Sequence, residues 1–413
     1  MISKLNDLFL KEYNINQNGG KIYVDRKTAQ WLDSFISVNQ SQKSYRELKL
    51  FTQITKSGFN ENPEISPPDN YPKISVILVL YNSNYWIDNL IKVFKNLSEW
   101  LHEIIVVDNG SIDEGLRLLQ QGVDKLISIQ NSSPKSFAAA INQGTRIATG
   151  DVFFIINPDV YIPRTSLWEL IHSYNKNQNI AAISPKLLLM KTPGFINGIG
   201  NIVRPFWHGY DIGLGHLDVG QFNHIKELPS ACFASIFIPK SSWELVGEVD
   251  EEYPMYYEDS DWCYRARNYG LKILFCSSSE VFHGYKSYKV GVENINSTYI
   301  RNISYGRIRF SKKNFPRLKS TLFLMSYVIS DLLYLVIYWL RYQKNFFSDY
   351  YSVWKNIFQF KSYSINQNKQ SKSRRMKFEK HKISFPMVFN GLPLLKWKVL
   401  IILNNDKKRN RNY

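Results

Sequence analysis

Three carboxylates fall within four positions at Glu258-Asp259-Ser260-Asp261, and aromatic and basic residues follow at once in Trp262, Tyr264 and Arg265. Acids favour the first turn of a helix because they offset the positive end of its dipole, which accounts for one or two of the three. The remainder suggests a general base in an acceptor site, since a positioned carboxylate can take the proton from an attacking hydroxyl. A second acidic turn, Asn157-Pro158-Asp159, suits a divalent cation: a bare carboxylate repels a diphosphate, whereas one holding Mg²⁺ or Mn²⁺ bridges to it. The bland alternative there is an Asx-Pro turn. A third, Val107-Asp108-Asn109-Gly110-Ser111, offers a carboxylate that could accept the imide N–H of a pyrimidine, although Asp-Asn-Gly is also a common turn. His283 in Val281-Phe282-His283-Gly284 is a candidate ligand only through the company of these acids.

The elements that must carry these groups are legible as short apolar runs. Ile74–Leu80 and Ile104–Val107 read as strands buried on both faces, the second ending at Asp108. Lys125–Ile129 is a weaker third strand, and Val152–Ile156 is a fourth that stops at Asn157. Between them, Ile87, Leu90, Ile91, Phe94 and Leu97 repeat at helical spacing, and residues 136–148 read as a second helix. Alternating strands and helices imply an α/β fold with a mainly parallel sheet flanked by helices. In such a sheet the carboxyl ends of the strands line the ligand crevice, which is where the polar turns fall.

The chain of 413 residues has room for two or three units: an accessory element over 1–72, a catalytic domain over 73–300, and a basic, apolar region over 301–413. With 44% hydrophobic and 21% charged residues, most of it should be globular. The net charge of +17 is uneven: residues 301–413 carry +20 and the first 300 carry −3. A near-neutral body joined to a basic region suggests chemistry in one and attraction to an anionic surface in the other. Cys232, Cys263 and Cys276 have no metal-site or disulfide spacing and read as reduced thiols, and the amino-terminal stretch has no apolar core of a secretory signal.

In order and interval, these clusters resemble the family 2 glycosyltransferases of GT-A fold, especially a bacterial rhamnosyltransferase-like branch. The resemblance runs from about Lys73 to Ser287. It rests on the strand into Tyr81-Asn82, Asp108-Asn109-Gly110-Ser111, Phe137-Ala138-Ala139-Ala140-Ile141-Asn142, Thr149-Gly150-Asp151, Asn157-Pro158-Asp159, Gly247-Glu248-Val249-Asp250-Glu251, Glu258-Asp259-Ser260-Asp261-Trp262 and His283. The resemblance implies an inverting, metal-dependent transfer from a nucleotide-sugar donor. Tyr81, Asn82, Asp108, Asn142 and Asn157 would line the donor, Asp159 and His283 would hold Mg²⁺ or Mn²⁺, and Asp259 would be the base. Glu258 and Asp261 would stand beside the base, with Trp262 and Arg265 on the acceptor side. Two departures touch the donor site: Ser136 stands where the family usually has Gly, and Asn157 where its metal motif has the first acid.

Residues 321–340 form a run of 20 with one charge, Asp331, long enough to span a membrane. A central Asp costs about 2.5–3.5 kcal/mol on insertion scales, which favours a helix lying in the interface over a span. Residues 301–320 hold seven Lys/Arg and no acid, and 371–377 add another cluster, so an anionic membrane surface is the expected partner and nucleic acid is not. The expected acceptor is a saccharide or a polyprenyl-linked glycan at the cytoplasmic face of a bacterial membrane, in polysaccharide or O-antigen assembly. The leading donor is dTDP-rhamnose, with a UDP-hexose or a galactofuranose donor as the alternative. A non-catalytic membrane scaffold or basic binding protein is the contrasting class.

Overall fold

The computed structural model describes residues 65–355 except 191, 206–209, 215–217, 219, 221, 285–295 and 343–344, together with a strand pair at Lys11–Asn14 and Lys21–Val24. The rest of the expected accessory element, the basic cluster at 371–377 and the apolar runs after it lie outside the described residues.

The apolar runs become strands because every residue in them is buried from both sides. β1 (Ile74–Leu80), β2 (Glu103–Asp108) and β4 (Val152–Ile156) are wholly buried, and β3 (Leu126–Gln130) is the more exposed edge. Helices cover them: α1 (Ile87–Asn96) buries Ile87, Leu90, Val93 and Phe94, followed by α2 (Gly115–Gly122) and α3 (Phe137–Ile147). The Ser136 hydroxyl caps α3 by accepting the Ala139 N–H at 3.2 Å, so the residue that departs from the family pattern starts this helix.

β5 (Val160–Tyr161), α4 (Arg164–Lys176), β6 (Ile180–Leu189), β7 (Thr192–Gly198), β8 (Ser235–Pro239), α5 (Lys240–Val246), α6 (Glu258–Asn268) and β9 (Lys272–His283) complete the domain. The sheet runs β3-β2-β1-β4-β8-β6-β9-β5, with β7 on β6. Its first four strands are parallel, as the sequence predicts. The second half is mixed, because β8 runs antiparallel to both β4 and β6 while β6 and β9 are parallel. This is the mixed, helix-flanked sheet of the GT-A type. The three cysteines are free, two of them buried.

Three helices follow: α7 (Ser297–Asn314), α8 (Arg317–Tyr342) and α9 (Phe347–Lys355). α7 passes through the expected boundary at residue 300 and is ion-paired to the sheet domain. Arg309 reaches Asp250 at 2.8 Å and Glu252 at 2.9 Å, and Lys313 reaches Asp250 at 2.7 Å and Asp261 at 2.8 Å.

Candidate active site

Asp108 sits at the carboxyl end of β2, in register with Leu80 of β1, and its Oδ1 accepts the Ser111 N–H at 3.1 Å. β4 lies on the other side of β1, so the turn at Asn157-Pro158-Asp159 emerges two strand spacings away, about 10 Å. The loops between these ends are pinned by amides. Asn82 accepts the Ile112 N–H at 3.0 Å, and the Asn109 carboxamide donates to the Lys135 carbonyl and accepts the Lys135 N–H, at 2.9 and 3.0 Å. Gly110, at φ +79°, lies so close under the Ser133–Pro134 backbone that a Cβ would approach it to 2.8 Å. The Tyr81 ring is half exposed at the mouth of this crevice.

Asp159 and His283 come together through strand pairing. Val160 follows Ile156 by four residues, at most about 14 Å of chain, so the far end of the sheet has to curl back. It does so along β9, whose register with β6 is interrupted between Cys276 and Glu280, and β5 pairs Val160 with His283. The His283 Nε2 then lies 3.1 Å from Asp159 Oδ1, and its Nδ1 lies 2.7 Å from the Asn197 side-chain oxygen. Asn197 therefore fixes which nitrogen faces the carboxylate, the arrangement a metal-bound imidazole uses. Gly284 makes the approach possible: its N–H donates to the Asp159 carbonyl at 2.6 Å, and a Cβ there would come within 2.6 Å of Trp86 and 2.9 Å of the Asp159 Cβ. An imidazole nitrogen and a carboxylate oxygen facing each other at this distance fit Mg²⁺ or Mn²⁺, with the remaining positions open to phosphate and water. Among the described residues no third His, Cys, Asp or Glu joins them.

The acidic helix α6 starts after two tyrosines in left-handed backbone, Tyr256 and Tyr257, both at φ +72°. Such residues cost on the order of 1–3 kcal/mol each and persist only where the surroundings hold them. α7 does this: Gly306 lets it press on the Tyr257 ring, Phe310 packs on Tyr257, and Tyr299 packs on Tyr256. Glu258 is buried and its Oε2 has no hydrogen-bond partner among the described residues. Burial first, and the neighbouring Asp259 second, push its carboxyl well above the ordinary carboxylate range. Asp259 is also pushed up by burial, to about 6, but less far. Hydrogen bonds from the Ser260 N–H and hydroxyl, the Asn201 amide and the Phe233 N–H favour its ionised form. Glu258 therefore keeps its proton when Asp259 has lost its own. The Phe233–Ala234 backbone links the two acidic turns, because the Ala234 carbonyl accepts the Asn157 N–H at 2.9 Å.

Four expected site residues do other work. Asp261 is fully buried and turned toward α7, bonded to Arg265, Lys313 and Asn314 at 3.0, 2.8 and 2.7 Å. Two residues along a helix are about 200° apart, so Asp261 cannot share the face of Asp259. Trp262 is likewise buried, stacked on Trp243 and donating to the Gly247 carbonyl at 2.9 Å. Arg265 clamps the Val246 and Glu248 carbonyls, both at 2.7 Å. Asn142 is fully buried and bonded to Val249 and Glu251, so it positions the 247–251 loop. Conversely, the sequence reading missed Asn197 and Asn201. Their only signal was two asparagines flanking the glycines of Asn197-Gly198-Ile199-Gly200-Asn201.

Fold and site together define a GT-A type α/β domain with acidic groups at the carboxyl ends of its strands. Residues 75–187 match the sequence profile described as Glycosyl transferase family 2, so this stretch of the chain is similar to that family. It is 27% identical over 217 residues to the low-salt glycan biosynthesis hexosyltransferase Agl10 of Haloferax volcanii, a match covering 51% of this chain and 66% of Agl10. It is 22% identical over 225 residues to the O-antigen biosynthesis protein RfbC of Myxococcus xanthus, covering 52% of this chain and 18% of RfbC. The chain thus spans less than two thirds of either relative. Among solved structures it is similar to GalNAc-T7 with UDP, GalNAc and Mn²⁺, at a TM-score of 0.45 and 14% identity, covering 83% of this chain and 68% of that one.

Proposed function

We propose that the protein transfers a sugar from a nucleotide-sugar donor to a growing glycan, with inversion at the anomeric carbon. The observation that supports this most is the Asp159–His283 pair, closed by β5–β9 pairing at the same, carboxyl end of the parallel strands as Asp108. In this reading Asp108 accepts the imide N–H of the base, and Tyr81 and the loops after β1 and β2 frame the nucleotide. Asp159 and His283 would hold Mg²⁺ or Mn²⁺, which when bound neutralises the diphosphate. The acceptor hydroxyl attacks the anomeric carbon from the side opposite the nucleotide, the C–O bond to the diphosphate breaks, and Asp259 takes the hydroxyl proton. Glu258, protonated and buried behind it, keeps a second negative charge away from the base.

The acceptor in this proposal is a saccharide or a polyprenyl-linked glycan at the cytoplasmic face of a membrane. The donor is dTDP-rhamnose, with UDP-hexose and galactofuranose donors as the alternatives. The test is nucleotide release by purified protein with Mn²⁺ across a panel of nucleotide sugars, repeated with Asp259→Asn. Proton transfer of this kind is worth roughly 10²–10⁴ in rate. The variant should lose transfer by about that factor and keep nucleotide affinity by calorimetry. Transfer by Asp259→Asn at the wild-type rate would remove the base assignment.

A further inference from the structure

We infer that α8 is a lipid-seating helix that lies in the membrane plane, with its polar face against the protein and its apolar face in the bilayer. The proposal deepens the membrane part of the reading above and is independent of the transfer chemistry. A water-facing helix turns its apolar stripe inward and its polar side out. α8 instead leaves a purely apolar stripe outside. The side packed on the protein is mixed: Ser320, Ser326, Ser330 and Asp331 are buried there together with Tyr327 and Tyr338. The outer side carries Leu318, Leu322, Met325, Ile329, Leu333 and Val336, each about half to three-quarters exposed and spaced four, three, four, four and three residues apart. That spacing makes one continuous stripe, with Trp339 and Leu340 exposed at its far end.

Asp331 argues against a span. It is fully buried against the equally buried Arg307 of α7, with Trp354 donating to its second oxygen at 3.0 Å and the guanidinium 4.7 Å over the Tyr327 ring. A helix crossing the bilayer alone would leave both charges without partners, so α8 stays on α7 and offers lipid one face only. Charge complementarity identifies the occupant as an anionic lipid surface. Arg307, Arg309 and Lys313 are held by acids of the protein, but Arg317 and Lys319 are exposed where the stripe begins and are left to meet lipid phosphates.

The test is flotation of the full chain with vesicles of phosphatidylcholine alone or containing phosphatidylglycerol, comparing wild type with Leu322→Glu/Leu333→Glu. Wild type should float with the anionic vesicles, and the double variant should partition at least tenfold less while transferring sugar to a soluble acceptor at the wild-type rate. That activity arm separates failure of docking from failure of the proposed chemistry. Depth is read by the fluorescence that brominated lipids quench in wild type but not in Trp339→Phe. Strongest quenching by bromines near the headgroups supports the in-plane helix. Equal flotation of the variant would overturn the proposal, as would strongest quenching at chain ends, or a dimer that the double variant dissolves without any vesicle binding.

Discussion

Replacing Asn201 by Ala removes the side-chain amide that holds Oδ2 of Asp259, at 2.9 Å, and leaves Oδ1 bonded to Ser260. A hydrogen bond to an ionised group contributes about 1.5–3 kcal/mol, and one pKa unit corresponds to about 1.4 kcal/mol, so the loss could raise the carboxyl by about 1–2 units. Asp259 is partly open, and water can replace part of the amide, so the lower end applies. Starting from about 6, the midpoint should move to about 7. The sign follows from the base role proposed for Asp259: if the ionised carboxylate is the active form, a higher pKa lowers activity on the acid side only. At pH 6.5 the ionised fraction falls from about three-quarters to about one-quarter, near pH 5 the deficit reaches about tenfold, and at pH 9 it disappears. The assay is kcat/KM for transfer between pH 5 and 9, with nucleotide affinity measured in parallel and expected to be unchanged. An equal loss at every pH, or a midpoint that stays or falls, would refute the idea that Asn201 acts through Asp259.

Other consequences are open to measurement. Gly284→Ala should drive Asp159 and Trp86 apart and raise the Mn²⁺ concentration for half-maximal activity by about 10–100-fold, the range typical of lost support around a metal ligand; Asn197→Ala should do the same through His283. Asp331→Leu strands Arg307 in the protein and should cost about 3–5 kcal/mol in urea unfolding, whereas Arg307→Met with Asp331→Leu should be neutral or stabilising. Burial alone would raise the Asp250 carboxyl, but Lys313 and Arg309 outweigh it and hold it below the ordinary range. A depressed folded pKa contributes stability that is present above the unfolded value, about 3.9, and lost as pH falls through the folded one. Urea midpoints of wild type and Asp250→Asn should therefore converge as the solution is acidified below pH 4.

The amino-acid sequence by itself determined the parallel half of the sheet and the acidic turns at its strand ends. Continuous apolar runs such as Ile74–Leu80 can be satisfied only by burial on both faces, and Asp108 and Asn157 fall where those runs stop. The same local logic exposed the conflict in residues 321–340, an apolar helix with one acid. Only the tertiary structure decided what resolves it, because Arg307 belongs to another helix and its pairing with Asp331 depends on how α7 and α8 pack. Tertiary structure also separated Asp259 from Asp261. Helical phase sets them on different faces, but which face meets solvent depends on where α7 docks with Lys313 and Asn314. Likewise, Asp159 and His283 lie in distant parts of the chain, and no local pattern encodes the register that joins them. That register exists because a curled, interrupted β9 returns to pair with β5, a long-range hydrogen-bonding choice made by the whole sheet.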